Sequence, residues 1–323
     1  MHLICGEALY DVFVNESEFS VGSDVRLKAV AGGSPFNVAI GMARLGARVA
    51  LASDLARDAL GNRIAAQLTE EGVSPLFLRR TAEITALAIV ATDELGHPRY
   101  SFTGFEGATY CPESAVVDSA ESELTGIHVG SIATVLPNSA RPLLDLVSRF
   151  ADRALISLDP NIRLSIIPQI EVWSRAIDDI RPFCQIIKVS EEDLAAIYGD
   201  ADPATLCRSW LNDRTALVVL TRGAKGAALF SRAVDTIEIA ATKVEVVDTV
   251  GAGDSFMAAL LSKLTQDGCV SSEAIASLDA DQLRALGSFA ALAAGITCSR
   301  RGPMLPDYRE LNAINLTVKN AQD

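Results

Sequence analysis

The chain has 323 residues, with 28 Lys+Arg against 41 Asp+Glu and a formal net charge of −13. An acid excess of this size excludes a protein whose overall field draws in nucleic acid or anionic membranes, while leaving room for a small anion held by backbone N–H groups and a metal. At 49% hydrophobic and 21% charged, with no run of 18 apolar residues, the composition excludes extended disorder and a membrane-spanning helix, and suits one large α/β unit or two smaller ones.

Met1-His2-Leu3-Ile4-Cys5-Gly6-Glu7 has no basic start and meets an acid at Glu7. It reads as a first strand over residues 3–5 rather than a secretion signal, and a cytoplasmic protein is expected. Residues 11–28 are polar, with only spaced apolar positions, and fit no core element. Ala31-Gly32-Gly33-Ser34-Pro35-Phe36-Asn37 opens a helix. Ser34 reads as its N-cap and Pro35 as its first helical residue; Val38, Met42 and Leu45 share one stripe, and Gly46 suits the exit. Asn37 in the first turn offers a donor and an acceptor, which suits a polyol; a glycine corner with a locally bonded Asn is the plainer reading, and both stay open.

A second strand is expected over residues 49–52. Residues 85–103 read as a hairpin: a strand over 85–92, a turn at Asp93-Glu94-Leu95-Gly96 and a strand over 99–103. A hairpin has no place inside a parallel sheet. With part of residues 11–28 it should project from the sheet edge, either as a lid over a site at the carboxyl ends of the strands or as an edge or dimer contact. His128, in Ile127-His128-Val129-Gly130, reads as a partly buried structural histidine, and His97 as a solvated one.

Further apolar runs at 155–158, 186–189, 217–220, 227–230 and 244–247 alternate with helical patterns. Several are apolar on both faces, as strands of a covered parallel sheet must be. The expected fold class is α/β, a doubly wound, mostly parallel sheet with helices on both faces plus a small β lid. Ser157-Leu158-Asp159-Pro160-Asn161-Ile162-Arg163 leaves a strand where such sheets bind ligands, although an Asp-Pro-Asn turn explains it more simply. Lys188-Val189-Ser190-Glu191-Glu192-Asp193 puts acids at a helix start. Capping by Ser190 and the helix dipole account for it plainly, and control of a Mg²⁺ ion is the sharper reading. Leu220-Thr221-Arg222-Gly223-Ala224-Lys225-Gly226 is a tight connection whose glycines and Thr221 also suit a nucleotide's phosphates or ribose. Residues 316–323 are polar and expected to fray.

The most informative string is Val246-Val247-Asp248-Thr249-Val250-Gly251-Ala252-Gly253-Asp254-Ser255-Phe256. A strand should run into two glycines and then a helix with Phe256, Leu260 and Leu264 on one face. Small residues let a ligand approach the backbone, and the unpaired N–H groups and dipole of a helix start attract phosphate. Asp254 falls in the first turn, placed to take a proton from a hydroxyl. Phosphoryl transfer relies on positioning and charge stabilisation, so a weak base suffices. A glycine turn followed by a helix-start Asp is the plain reading, and the length of the string favours function. No Gly-x₄-Gly-Lys-Ser/Thr, no Gly-x-Gly-x-x-Gly after a strand and no Gly-x-Ser-x-Gly occurs. Six scattered Cys and three His form neither a zinc cage nor a disulfide framework.

Taken in order, these segments resemble the PfkB/ribokinase family of carbohydrate kinases over essentially the whole chain. Asp248-Thr249-Val250-Gly251-Ala252-Gly253-Asp254 matches the family's C-terminal signature, and Gly32-Gly33 with Asn37 its N-terminal one. Gly6-Glu7-Ala8-Leu9-Tyr10-Asp11, Asp159-Pro160-Asn161-Ile162-Arg163 and Lys188-Val189-Ser190 look most like the fructokinase branch. The resemblance implies a ribokinase-like fold, with residues 1–10, 29–84 and 104–323 as core and 11–28 and 85–103 as lid. It implies transfer of the γ-phosphoryl group of ATP to a sugar hydroxyl, with Asp254 as base and Gly251, Ala252 and Gly253 as anion hole. Asp11, Gly32, Gly33, Asn37, Phe102, Asn161 and Arg163 would face the sugar. Lys188, Ser190, Thr221, Gly223, Gly226 and Thr249 would lie along ATP. Asp193 would reach Mg²⁺ through water, and Asp248 and Val250, with the 297–302 loop, would neighbour a monovalent cation such as K⁺.

Lid sheets of this family often pair subunits, so the implied partners are a small-molecule sugar and a second copy of the chain, with no nucleic acid and no membrane. Three departures stand out. Ser190-x-x-Asp193 replaces the family's Asn-x-x-Glu, Val250 stands where several relatives have a hydroxyl residue, and Phe102-Thr103-Gly104 ends the hairpin without the Arg of an aromatic-Tyr-Arg. The sugar reads first as fructose, with 2-keto-3-deoxygluconate next (Arg163 would meet its carboxylate), then ribose or a nucleoside. A catalytically idle sensor of sugar or nucleotide is the alternative outside the class.

Overall fold

Short β-branched runs alternate with amphipathic stretches, and in the computed structural model, which describes residues 1–14, 27–92, 98–105 and 107–313, they become strands and helices in turn. The first part forms β1 (His2–Cys5), β2 (Leu9–Phe13), β3 (Lys28–Gly32), α1 (Ser34–Arg44), β4 (Val49–Ala56), α2 (Ala59–Glu70), β5 (Leu78–Thr81), β6 (Leu87–Thr92) and β7 (Pro98–Thr103). The middle forms α3 (Ser114–Ala120), β8 (Gly126–Gly130), α4 (Pro137–Phe150), β9 (Leu155–Asp159), α5 (Ile170–Ile180), β10 (Ile186–Ser190), α6 (Glu191–Tyr198) and α7 (Pro203–Trp210). The last part forms β11 (Leu217–Thr221), β12 (Ala227–Ser231), β13 (Ile237–Ile239), α8 (Ala252–Gln266), α9 (Ser272–Ala276) and α10 (Ala280–Cys298).

Among the described residues one sheet has nine strands in the order β13-β12-β11-β10-β9-β8-β1-β4-β5, and a separate sheet has four in the order β3-β2-β6-β7. In the large sheet all neighbours from β5 to β11 run parallel, and only the β11–β12 and β12–β13 pairs are antiparallel. The chain builds from β1 outward to β4 and β5, then returns to β8 on the other side and continues to β13. The carboxyl ends of β1 and β8 therefore flank the point where strand order reverses, the place where open α/β sheets take ligands.

Strands apolar on both faces supply two cores. Leu3 and Cys5 face one layer and Ile4 the other; Val218 and Leu220 are likewise split from Leu217 and Val219. Val38 and Met42 of α1, Ile64 of α2, Leu260 of α8 and Leu286 of α10 fill the first layer. Leu143 of α4, Trp173 of α5, Leu194 of α6 and Trp210 of α7 fill the second. Each buried Leu or Ile contributes about 1.5–3 kcal/mol. The doubly wound α/β class expected from the sequence is the class observed. Among the described residues no helix is long and apolar enough to cross a membrane.

Two helices position the site. α1 packs on α8 at Gly41, where an added Cβ would lie 2.7 Å from the Ala258 Cβ. This close approach brings the N-terminal turns of the two helices together. α1 ends in a Schellman turn, Ala47 N–H donating to the Met42 carbonyl and Gly46 N–H to that of Ala43, with Gly46 at φ +83° as expected.

Several expectations need correction. Ser34 is not the N-cap of α1 but its first residue; Gly33 is the cap, and the Ser34 hydroxyl is used elsewhere. Residues 244–247 are not a strand. β13 is the last strand of the large sheet, and beyond it the chain crosses to the end of α10, where Val247 N–H donates to the Cys298 carbonyl and both Val246 and Val247 are exposed. Its β-branched residues thus have no partner strand among the described residues. The Ile127-His128-Val129-Gly130 segment is a central strand, β8. His128 is fully rather than partly buried, its Nδ1 3.0 Å from the Ser157 hydroxyl, and burial lowers its pKa to about 3, so it packs as a neutral ring. The turn expected at 93–96, His97, residues 15–26 and residues 316–323 lie outside the described residues.

Candidate active site

The C-terminal string turns as its glycines require. Gly251 caps α8 at φ +79°, a left-handed conformation that a side chain resists, and an added Cβ would meet Pro303 at 2.7 Å. In the first turn of α8, Ala252 N–H is drawn to the Thr249 carbonyl, while the N–H groups of Gly253 and Asp254 have no backbone partner among the described residues. Asp254 is buried in that turn. Its Oδ1 accepts from the Ser34 hydroxyl at 2.7 Å and its Oδ2 from Asn37 Nδ2 at 2.8 Å, both from the start of α1. Burial pushes the carboxyl above the usual carboxylate range; the Ser34 and Asn37 hydrogen bonds pull it back, Asp159 adds to the rise and Lys188 opposes it.

Beside this turn, Asp159 ends β9 and Lys188 lies near the end of β10; the two form a buried ion pair. An added Cβ at Gly253 would lie 3.5 Å from Lys188 Nζ, so the ammonium stands against the start of α8. Asp159 Oδ1 is buried without a hydrogen-bond partner among the described residues. Ser190 and Asp193 form a reciprocal capping box on α6, and Asp193 Oδ1 also accepts from the Ile162 N–H at 2.9 Å. Both oxygens of Asp193 are thus turned to backbone, and burial, with Asp159 nearby, raises its pKa. Among the described residues no group of three or more His, Cys, Asp or Glu side chains is set to hold a metal. The unpaired Asp159 oxygen is the donor that fits a Mg²⁺ ion carried in largely by phosphates and water.

The sugar-side expectations spread over both sheets. Asp11 sits on β2, its Oδ2 2.6 Å from where a Cβ on Gly32 would stand, so the glycine makes room for the carboxylate. Burial lifts Asp11 to about 6, with Arg163 opposing and Asp254 adding. Gly33, at φ +107°, lies under the Glu7 carbonyl, 2.5 Å from an added Cβ. Asn161 takes a left-handed φ of +41°, and the exposed Arg163 donates Nη1 to the carbonyls of Asn161 and Ile162. Phe102 belongs to β7 and stacks edge-on against Phe105, 6.0 Å between centroids.

The nucleotide-side residues end neighbouring strands. Thr221 closes β11, and Gly223 and Gly226, both at positive φ, form the turn into β12. Thr249 and Val250 are exposed. Both oxygens of Asp248 accept backbone N–H groups, from Val250 at 3.1 Å and Gly302 at 2.9 Å, tying this string to the 297–302 loop.

Sequence reading missed Ser34 as a partner of Asp254, because it assigned that hydroxyl to a cap. It also left Asp159 and Glu7 off the site, although Asp159 directly follows the apolar run at 155–158 and Glu7 stands one glycine beyond β1, both at a strand's carboxyl end.

A family model for pfkB family carbohydrate kinases matches residues 2–309. A fructokinase of Rhizobium leguminosarum bv. trifolii is 31% identical over 284 residues, spanning 88% of this chain and 86% of that protein. A probable fructokinase-4 of Arabidopsis thaliana is 31% identical over 321 residues, spanning 96% and 94%. In fold, a fructokinase of Xylella fastidiosa solved with bound ATP matches with a TM-score of 0.84 at 24% identity, over 99% of this chain and 98% of that one. With nearly its whole length under one family model, this chain belongs to the pfkB family of carbohydrate kinases.

Proposed function

We propose that the protein is a fructokinase, transferring the γ-phosphoryl group of ATP to a primary hydroxyl of fructose. The observation that carries the chemistry is the buried Asp254 carboxyl, held by Ser34 and Asn37 at the open start of α8. Each Asp254 oxygen keeps a lone pair for the sugar hydroxyl, and its raised pKa makes it a better base than a solvated Asp. The hydroxyl oxygen attacks phosphorus, its proton passes to Asp254, and the bond to ADP breaks. N–H groups at the start of α8, with Lys188 beside them, receive the charge on the phosphoryl oxygens. Asp159, and Asp193 through water, would hold Mg²⁺, which when bound neutralises phosphate charge. Thr221, Gly223 and Gly226 would line the nucleotide. Fructose as the sugar is supported by the fructokinases that match at 31% identity over most of the chain. The four-stranded sheet serves as the lid, and Phe13, exposed on it, supports pairing with a second copy.

The test is an ADP-release assay over fructose, 2-keto-3-deoxygluconate, ribose, tagatose and adenosine, with and without K⁺. Fructose should give the highest kcat/KM, and Asp254→Asn should lower kcat by about 10²–10⁴ while folding and nucleotide binding persist. Retained ligand binding with no turnover on any sugar would instead identify a sensor.

A further inference from the structure

Glu7 follows β1 at the point where strand order reverses, yet none of the roles above uses it. It is 3% exposed, and its Oε2 has no hydrogen-bond partner among the described residues. The Ser131 hydroxyl, at the end of the neighbouring strand β8, hydrogen-bonds the carboxyl. Ser131 adopts φ +52° and Asn161 φ +41°, the two positive-φ non-glycine residues among those described, and Ser131 N–H donates to the Pro160 carbonyl at 3.1 Å. Left-handed backbone is costly at Ser131, where the surrounding structure holds it, while Asn161 takes it more readily. From the other side, Gly33 lets the start of α1 close over the Glu7 carbonyl, and that same helix start holds Asp254.

We propose that Glu7 is a specificity-determining residue of the sugar subsite: its free carboxyl oxygen accepts a hydrogen bond from a hydroxyl of a neutral sugar, and its charge, with Asp11 and Asp254, turns away a carboxylated one. The proposal rests on the sugar-kinase reading above and narrows it. Three carboxyl groups gather here against the single guanidinium of Arg163, since Lys188 is already paired with Asp159. An acid sugar would add a permanent negative charge to a buried site where these carboxyl groups already disfavour one another's ionisation. Burial lifts Glu7 to about 7, with Ser131 and Arg163 opposing and Asp254 adding, so its charge changes within the range of an assay. The groups that face it are Ser131, Arg163, Asp254 and the buried Tyr110.

The experiment compares wild type with Glu7→Gln and Glu7→Asp on fructose and 2-keto-3-deoxygluconate from pH 6 to 8, with fructose binding measured separately by calorimetry without nucleotide. In Glu7→Gln the KM and the dissociation constant for fructose should rise by about 10–100-fold, the span for a lost hydrogen bond to a charged group, with kcat within about threefold. Its preference for fructose over the acid sugar should fall about tenfold or more, while Glu7→Asp keeps the charge and retains the preference. Wild type should gain relative activity on the acid sugar as pH falls through about 7, and in Glu7→Gln that gain should be confined to lower pH, where Asp11, lifted to about 6, takes up its proton. Unchanged fructose binding and unchanged preference in Glu7→Gln overturn the proposal while leaving the fructokinase reading intact. If Glu7→Gln does not fold, loss of the preference in Glu7→Asp overturns it. A wild type that phosphorylates only the acid sugar overturns both.

Discussion

At the residue scale, the site concentrates carboxyl groups that burial makes reluctant to ionise. Glu7 rises from 4.5 to about 7 and Asp11 from 3.8 to about 6, and Asp254 and Asp193 move the same way. A carboxyl with a raised folded pKa binds its proton more tightly folded than unfolded. Its favourable contribution is complete below the unfolded value and is lost as pH rises through the folded one. The buried His2 and His128 behave oppositely: their folded pKa values, about 4 and about 3, make them destabilising only as pH falls below 6.5. Above that, the raised carboxyls lower stability as pH rises. Without ligands, Glu7→Gln should therefore gain stability relative to wild type as pH rises from about 5 to 8, on the order of 3 kcal/mol in all. Comparing the two proteins cancels the histidines. Calorimetric melting points whose difference stays flat over that range would show that Glu7 is not held in a low-dielectric site.

At the element scale, catalytic geometry depends on how closely α1 approaches α8. Gly41 sits in the middle of α1, where helix propensity alone favours Ala by about 1 kcal/mol. The packing reverses that sign. An added Cβ would meet the Leu305 Cδ2 at 2.5 Å and the Ala258 Cβ at 2.7 Å; the first can swing away, but the second is held by the α8 backbone. Gly41→Ala should destabilise the protein by about 1–3 kcal/mol. By pushing α1 off α8 it should also pull Ser34 and Asn37 from Asp254 and lower kcat. A urea midpoint at or above that of wild type would mean the helices can separate freely. The capping box on α6 shows the converse case. Ser190 and Asp193 are three residues apart and their bonds are local, so the cap was readable from the string itself, whereas the run at 244–247 had strand-forming residues but no neighbour to pair with.

At the scale of the whole molecule, β3 and β7 are the edges of the separate sheet among the described residues, and Phe13 is exposed on it next to the exposed Lys28 and Ala29. Such a surface is poorly suited to stand alone in water. We expect light scattering at assay concentration to give twice the chain's 34.2 kDa, and a monomer mass would remove the pairing role. The sequence by itself determined the features that act over a few residues: the alternation that makes a covered parallel sheet, the glycine turn into α8 and the capping of α6. Tertiary structure alone decided what crosses long separations. Ser34 and Asn37 meet Asp254 across 220 and 217 positions, Lys188 finds Asp159 across 29, and Glu7 closes against Ser131 only because β1 and β8 lie side by side. Spacing along a chain encodes which groups share a turn or a face. Which groups share a buried cleft is set by strand order and helix packing, which bring distant carbonyls, hydroxyls and carboxylates together.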